Sequence, residues 1–300
     1  MHLLGLLLDL LMVNQNKQFV SKIKMNRRKA IKMAAGAALG GGLGFWGIQK
    51  LSEPEYLSEE EPKLLKEVPN EMDWKYHSLD PKLTAEIAYH KYKDGGCMYS
   101  CFLSIIKQLA DQYGEPYASF PLHAMRYGHG GISGYGSICG TLNGAAAAIS
   151  LFVPDKENRD RLITDLFRWY EEGSFPIFTS GNPLMETELV QSTANSVLCH
   201  ASVTNWTKVS HYKVSTKERI ERCRRLTADV AAHTVTLLNC FFDGAYVAAD
   251  KHNETTRTCL TCHGNHGKLD NTSGDMNCSS CHTKSAAHKV FAKPHYKLME

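Results

Sequence analysis

The sequence predicts a mainly α-helical chain: a helical domain followed by a small, irregular C-terminal segment. Three observations carry that expectation. Apolar residues recur at helical spacing, with cap signals at their ends, from about Met72 to Ala249. After Asp250 the pattern collapses into Gly, Asn, Ser, Thr and His. That last stretch holds two short, closely related runs, Cys259-Leu260-Thr261-Cys262-His263 and Cys278-Ser279-Ser280-Cys281-His282.

The chain divides into a leader (residues 1–50), an acidic linker (51–71), the helical domain (72–250) and the C-terminal segment (251–300). In the leader, Asn26-Arg27-Arg28-Lys29-Ala30-Ile31-Lys32 precedes a weakly apolar stretch from Met33 to Ile48, the pattern of a twin-arginine export signal. Met25, just before it, is the expected start of translation, with residues 1–24 upstream of the gene product. The stretch is short and glycine-rich for a membrane span, so only an uncleaved leader would tie the protein to a membrane. A periplasmic location follows.

In the helical domain, Asp80-Pro81 reads as an N-cap with proline at the first helical position, and Gly95-Gly96 as the stop. A second helix is expected from Cys97 to Gly114, with Phe102, Ile105, Ile106, Leu109 and Tyr113 on its apolar side. A third starts at Ser137 or Thr141 and continues to Phe152. A fourth runs from Asp155 to Gly173 and carries Leu162, Leu166 and Trp169 inward. Ser215-Thr216-Lys217-Glu218 is a capping box that opens the longest helix. Along it Ile220, Cys223, Thr227, Val230, Thr234, Leu237 and Phe241 form a stripe facing a core.

The two C-terminal runs have the spacing of covalent haem c attachment, in which two thiols add to the porphyrin vinyls and the adjacent histidine ligates iron. Cys259, Cys262, Cys278 and Cys281 would carry two haem c groups, with His263 and His282 as proximal ligands. The same cysteines also fit a zinc-ribbon spacing, but zinc has no need of a histidine directly after each second cysteine. Distal candidates are His252, His266, His288 and His295. His266 lies only three residues from His263, so it would serve the other haem or a partner subunit. Nineteen residues separate the proximal histidines, a reach of at most about 65 Å when extended, so near contact between the haems is geometrically easy. Bis-histidine ligation fills both axial positions and favours electron transfer over substrate binding at iron.

Of the ten cysteines, six remain: Cys97, Cys101, Cys139, Cys199, Cys223 and Cys240. Cys97 follows Gly95-Gly96 at an expected helix N-terminus, where the macrodipole would stabilise a thiolate. Cys139 follows a glycine-rich loop, Gly128 to Gly136, whose N–H groups could approach an anionic cluster. Cys101 and Cys240 fit ordinary core positions. Twin-arginine export carries folded proteins, whereas haem c is attached after export. Both signals on one chain point to a second cofactor loaded beforehand.

The Cys97 run with its Gly-Gly lead-in, Cys139-Gly140-Thr141-Leu142-Asn143-Gly144-Ala145, Leu198-Cys199-His200-Ala201-Ser202-Val203 and Glu221-Arg222-Cys223-Arg224-Arg225-Leu226-Thr227-Ala228-Asp229 resemble the split-Soret cytochromes c. They also resemble a wider redox family named for four cysteines and a Cys-Gly-Ala-x-x-Gly motif; Thr141 stands where that motif has alanine. The resemblance spans most of the chain from about Asp80 to the haem segment. It implies a mainly helical domain and an iron–sulfur cluster on Cys97, Cys139, Cys199 and Cys223, with either two or four irons. It also implies a homodimer with two stacked bis-histidine haems per subunit.

A net charge of +3 and the absence of a basic stripe interleaved with aromatics exclude a nucleic-acid partner, leaving a redox partner protein. No nucleophile triad, phosphate loop or paired carboxylates stand out. The expected function is single-electron transfer. The alternative is a reductase using the cluster, an open haem site or reactive thiols such as Cys101 and Cys240.

Overall fold

The computed structural model describes residues 74–249 and 251–282; the leader, the acidic linker and the distal candidates His288 and His295 lie outside them. The described part is mainly helical. Six α-helices follow in order: α1 Pro81–Tyr113, α2 Gly140–Phe152, α3 Lys156–Glu172, α4 Cys199–Ser210, α5 Lys217–Phe242 and α6 Glu254–His263. A two-residue antiparallel pair, β1 Ser174–Phe175 and β2 Ser192–Thr193, closes the loop between α3 and α4. Among the described residues no helix is long and apolar enough to cross a membrane.

Cap chemistry sets the helix ends. Asp80 accepts the Lys82 N–H at 2.8 Å and Pro81 supplies a fixed φ where no N–H is needed. The glycine pair then divides α1, as expected, into two helical halves that meet at a kink. Gly96 sits at φ 80° and ψ −166°, a conformation costly for any side chain-bearing residue, and the helix resumes at Cys97. Asp155 caps α3 through the Asn158 N–H at 2.9 Å. At α5 the cap is Thr216, one residue after the expected Ser215, and its hydroxyl accepts from Arg219 N–H. The α2 cap is Cys139, between the two expected starts, with no side-chain cap bond. Helix α4 was not expected; its N-cap is Leu198 and makes no cap bond, so its start carries no sequence signature.

α1 and α5 pack along their lengths, α2 crosses both, and α3 lies against α2 and α5. Phe102, Ile105, Ile106 and Leu109 of α1 meet Leu142 and Ile149 of α2, Leu162 and Leu166 of α3, and Leu226, Val230, Val235 and Leu238 of α5. Each buried side chain of this kind contributes about 2 kcal/mol. The buried face of α5 is wider than a single stripe, while Ile220 is exposed at its start. Tyr113 is also exposed, stacked on His77 with ring centroids 3.9 Å apart. Trp169 sits at the core edge, stacked on His233 at 4.0 Å. Cys101 is fully buried, as expected, whereas Cys240 is half-buried.

The α1–α2 crossing is close because α2 offers glycine at the contact. A Cβ at Gly140 would run into the Gly128 carbonyl, and one at Gly144 would lie 2.5 Å from the Met98 carbonyl oxygen. Gly140→Ala is therefore expected to lower stability by about 3 kcal/mol, read by chemical denaturation.

Two side chains one turn apart on α5 give opposing pH dependences. Burial pushes the Asp229 carboxyl up to about 6, against the N–H groups of Ile177 and Phe178 that it accepts. Burial pulls His233 down to about 4, against the opposing charge of Asp165. Between pH 4 and 6 the folded chain holds the Asp229 proton that the unfolded chain releases, so this contribution falls as pH rises. His233 does the reverse: the unfolded chain gains a proton that the folded one refuses, so stability falls as pH drops. Across this window His233→Gln should lose about 3 kcal/mol with rising pH relative to the parent, and Asp229→Asn should gain about as much. Urea denaturation at several pH values checks both slopes.

Candidate metal centre and haem-attachment segment

Three helix beginnings and one helix interior converge on the four cysteines. Cys97 opens the resumed half of α1, Cys139 caps α2, Cys199 is the first residue of α4, and Cys223 lies in the second turn of α5. Hydrogen bonds fix the approach. Cys139 N–H donates to Val197 O and Cys199 N–H to Ser137 O, each at 2.8 Å, beside an antiparallel bridge between Ile138 and Leu198. Gly136 is held at φ 71°, where a Cβ would lie 3.1 Å from that of His200.

The four thiols interact with one another. Cys139 and Cys199 share a hydrogen bond, and Cys199 feels the charges of Cys97, Cys139 and Cys223. Cys97 likewise feels Cys139 and Cys223. Cys97, Cys139 and Cys223 are buried and Cys199 is half-buried.

The cysteines of the set shift in opposite directions. Burial, reinforced by the neighbouring thiols, pushes Cys97 up to about 12, despite bonds from Tyr92 and the Gly130 amide. Cys139 is drawn down to about 6 by the Cys199 hydrogen bond, which outweighs burial, with further help from Tyr170, the Thr141 amide and Arg222. The same bond pushes Cys199 strongly upward.

Arg222 is the feature that sequence reading missed. It is 2 % exposed, its Nη2 donates to Ser202 Oγ at 2.9 Å, and its Nη1 lies 4.0 Å from Cys223 Sγ. Burial opposes its charge, but Cys223, Tyr170 and Cys139 hold it protonated. Its buried Nε has no hydrogen-bond partner. An arginine beside a cysteine is unremarkable in a sequence; only the folded chain shows the guanidinium turned inward. A buried cation, helix N-termini and a partly ionised thiol set suit an anionic metal centre. Among the described residues no three His, Cys, Asp or Glu side chains are grouped so as to hold a single ion.

Cys101 lies one turn beyond Cys97. Its thiol sits beside Thr141, Cys139 and Cys97, and burial pushes it up to about 12. The Thr141 hydroxyl, standing where the motif has alanine, is buried there without an N or O partner.

In the C-terminal segment, α6 begins at Asn253, which accepts the Thr256 N–H at 2.8 Å, and ends with His263. Cys259, Cys262 and His263 therefore share one short helix. His263 Nδ1 lies 3.0 Å from Asn271 Oδ1, which fixes the ring and leaves Nε2 for a metal. The second run starts a 3-10 turn, Cys278–Ser280, capped by Asn277; Cys281 closes it and His282 N–H donates to Cys278 O at 2.9 Å. The two runs touch: Cys259 and Cys278 share a thiol hydrogen bond, and Cys278 N–H reaches Thr256 Oγ1 at 3.4 Å. Of the distal candidates, His252 has its Nε2 2.7 Å from Asp275 Oδ1, and His266 is exposed at a left-handed φ of 63°.

Ser202 accepts from both Tyr170 and Arg222, at 2.9 Å each. Ser202→Ala would strand a buried guanidinium N–H and should cost about 2–3 kcal/mol in denaturant titrations.

Comparison with known proteins gives a consistent result. Residues 99–237 match a family described as "Putative redox-active protein (C_GCAxxG_C_C)". That span holds Cys101, Cys139, Cys199 and Cys223 and begins two residues after Cys97. The split-Soret cytochrome c of Desulfovibrio desulfuricans (strain ATCC 27774) is 35 % identical over 273 residues, 88 % of this chain and 97 % of that one. Its solved structure, reported for a novel iron centre, superposes with a TM-score of 0.67 at 37 % identity, over 72 % of this chain and 92 % of that chain. The chain belongs to the split-Soret cytochrome c family of redox proteins.

Proposed function

We propose that the protein is an exported, periplasmic dihaem cytochrome that moves single electrons between an iron–sulfur centre in the helical domain, two haem c groups and a redox partner protein. One observation carries the reading: cysteines brought in by four separate helices lie near one another, with the buried, charged Arg222 beside Cys139 and Cys223. Buried thiols packed for their bulk alone need no such cation, and a lone buried guanidinium costs several kcal/mol.

When bound, the iron groups supply reversible one-electron oxidation and reduction. Cys97, Cys139, Cys199 and Cys223 would hold the cluster, of two or four irons. Arg222 would offset its negative charge, and Gly130 and Thr141 would present amides to its thiolates. Cys97 fits as the fourth ligand better than Cys101, because Cys199 and Cys223 interact with Cys97.

Cys259, Cys262, Cys278 and Cys281 would carry the haems, with His263 and His282 as proximal ligands. The relative is a cytochrome c, which supports haem over zinc at these residues. His252 would have to release Asp275 before ligating iron; His266, His288 and His295 remain the other distal candidates. A homodimer would bring the haems of two subunits together, and an uncleaved leader would tether the protein to a membrane. For the reductase alternative Cys101 is a poor reactive thiol, since it is fully buried and burial pushes it up to about 12, whereas Cys240 is half-buried.

The test is an iron count on protein made in a haem-maturing host. Replacing Cys97, Cys139, Cys199 or Cys223 singly by serine should remove all iron beyond the two covalent haems, while Cys101→Ser keeps it. Wild-type protein holding no iron beyond its haems would refute the cluster.

A further inference from the structure

Tyr170 and Glu171 are consecutive residues at the end of α3, yet they serve different sites. Tyr170 bonds toward the Cys139 thiol and Ser202. Glu171 reaches the haem segment: its carboxylate accepts the Asn277 N–H at 3.3 Å and the Val197 N–H as well. The Val197 carbonyl accepts the Cys139 N–H at 2.8 Å, and Asn277 is bonded directly to Cys278. A continuous run of covalent and hydrogen bonds thus leads from Cys139 along the Val197 backbone and through the Glu171 carboxylate to Asn277 and Cys278.

Glu171 is 7 % exposed, an unusual setting for a carboxylate. Burial raises its pKa, with Glu172 adding to the effect and Arg168 opposing it. The segment beside it, Ala194 to Val197, and Asn277 bring no charge. The backbone is fixed too, since Asn195 N–H donates to Glu171 O at 2.9 Å. Among the described residues, the hydrogen bonds of Cys259, Cys262 and His263 stay within the haem segment. The first haem run therefore meets this path through Cys278, by the Cys259 thiol and the Thr256 hydroxyl.

We propose that Glu171 is the positioning residue that couples the four-cysteine site to the haem on Cys278 and Cys281, making that haem the one that exchanges electrons with the helical domain. The proposal rests on the electron-transfer reading above. With the iron groups bound, each exchange would transfer one electron from ferrous haem to one ferric iron held by the cysteines, leaving the haem ferric, with no proton or further reactant. Tunnelling falls off more slowly through bonded and hydrogen-bonded atoms than across gaps, so an intact bridge matters.

The test uses the holoprotein and a pulse of photochemically generated one-electron reductant. Wild type should show a concentration-independent phase in which haem absorbance relaxes as the cysteine site is reduced. Glu171→Gln keeps the side-chain shape but turns an amide donor toward one of the two N–H groups. It should slow that phase about tenfold, whereas Glu172→Gln, the same charge change on an exposed neighbour, should stay within about twofold. Glu171→Gln should also shift the potential of the Cys278 haem alone, which a merely structural strap would not do, and speed hydrogen exchange at the Asn277 amide. A wild-type rate in Glu171→Gln, or equal potential shifts at both haems, overturns the role of Glu171. A wild type without the intramolecular phase overturns the underlying reading with it.

Discussion

Convergence of helix N-termini on four cysteines, three of them buried, with one buried arginine beside Cys139 and Cys223, is the constraint around which this domain is organised. Each of α2, α4 and the resumed half of α1 ends in amides that no helix bond satisfies, and each begins at or beside a cysteine. Helix α5 supplies Cys223 and Arg222 from its interior. Four elements that pack on one core thereby also point their polar ends at one place. The helix dipoles and the guanidinium share one sign, so the site is built to hold negative charge. Water could not discharge it cheaply at this depth.

That site needs the backbone to come closer than ordinary side chains permit. Gly140 and Gly144 place α2 against Cys97 and Cys101, and the kink at Gly96 turns the first half of α1 away just before Cys97. The glycine-rich loop closes over the same corner, sending the Gly130 amide to the Cys97 thiol. On the other side of Cys139, the chain of Val197, Glu171 and Asn277 ties the cysteines to the segment that holds the second Cys-x-x-Cys-His run. Packing, charge and proximity between the cysteine site and the C-terminal segment are thus set by the same few residues.

Much of this was legible beforehand, for physical reasons. Asp80-Pro81, Gly95-Gly96 and Asp155 are local signals, and each acts where local chemistry places it, since caps and glycine turns depend on near neighbours. The two Cys-x-x-Cys-His runs stand out because covalent haem attachment would demand that fixed spacing. What stayed hidden depends on distant partners. Helix α4 has no cap bond and gains its place by burying Trp206, whose Nε1 donates to Val190 O at 2.9 Å. Arg222 and Glu171 look like ordinary surface charges in the sequence, and only tertiary packing buries them. Cys97 shows the limit of a helix-dipole argument: burial among other thiols raises its pKa despite the favourable N-terminus, while hydrogen bonding lowers that of Cys139.

Iron held by the converging cysteines is the centre of this account, and a Mössbauer spectrum of protein grown on iron-57 examines it most directly. The account predicts two populations, low-spin haem iron and a second with the isomer shift of tetrahedral sulfur ligation. A spectrum composed of haem iron alone would contradict it.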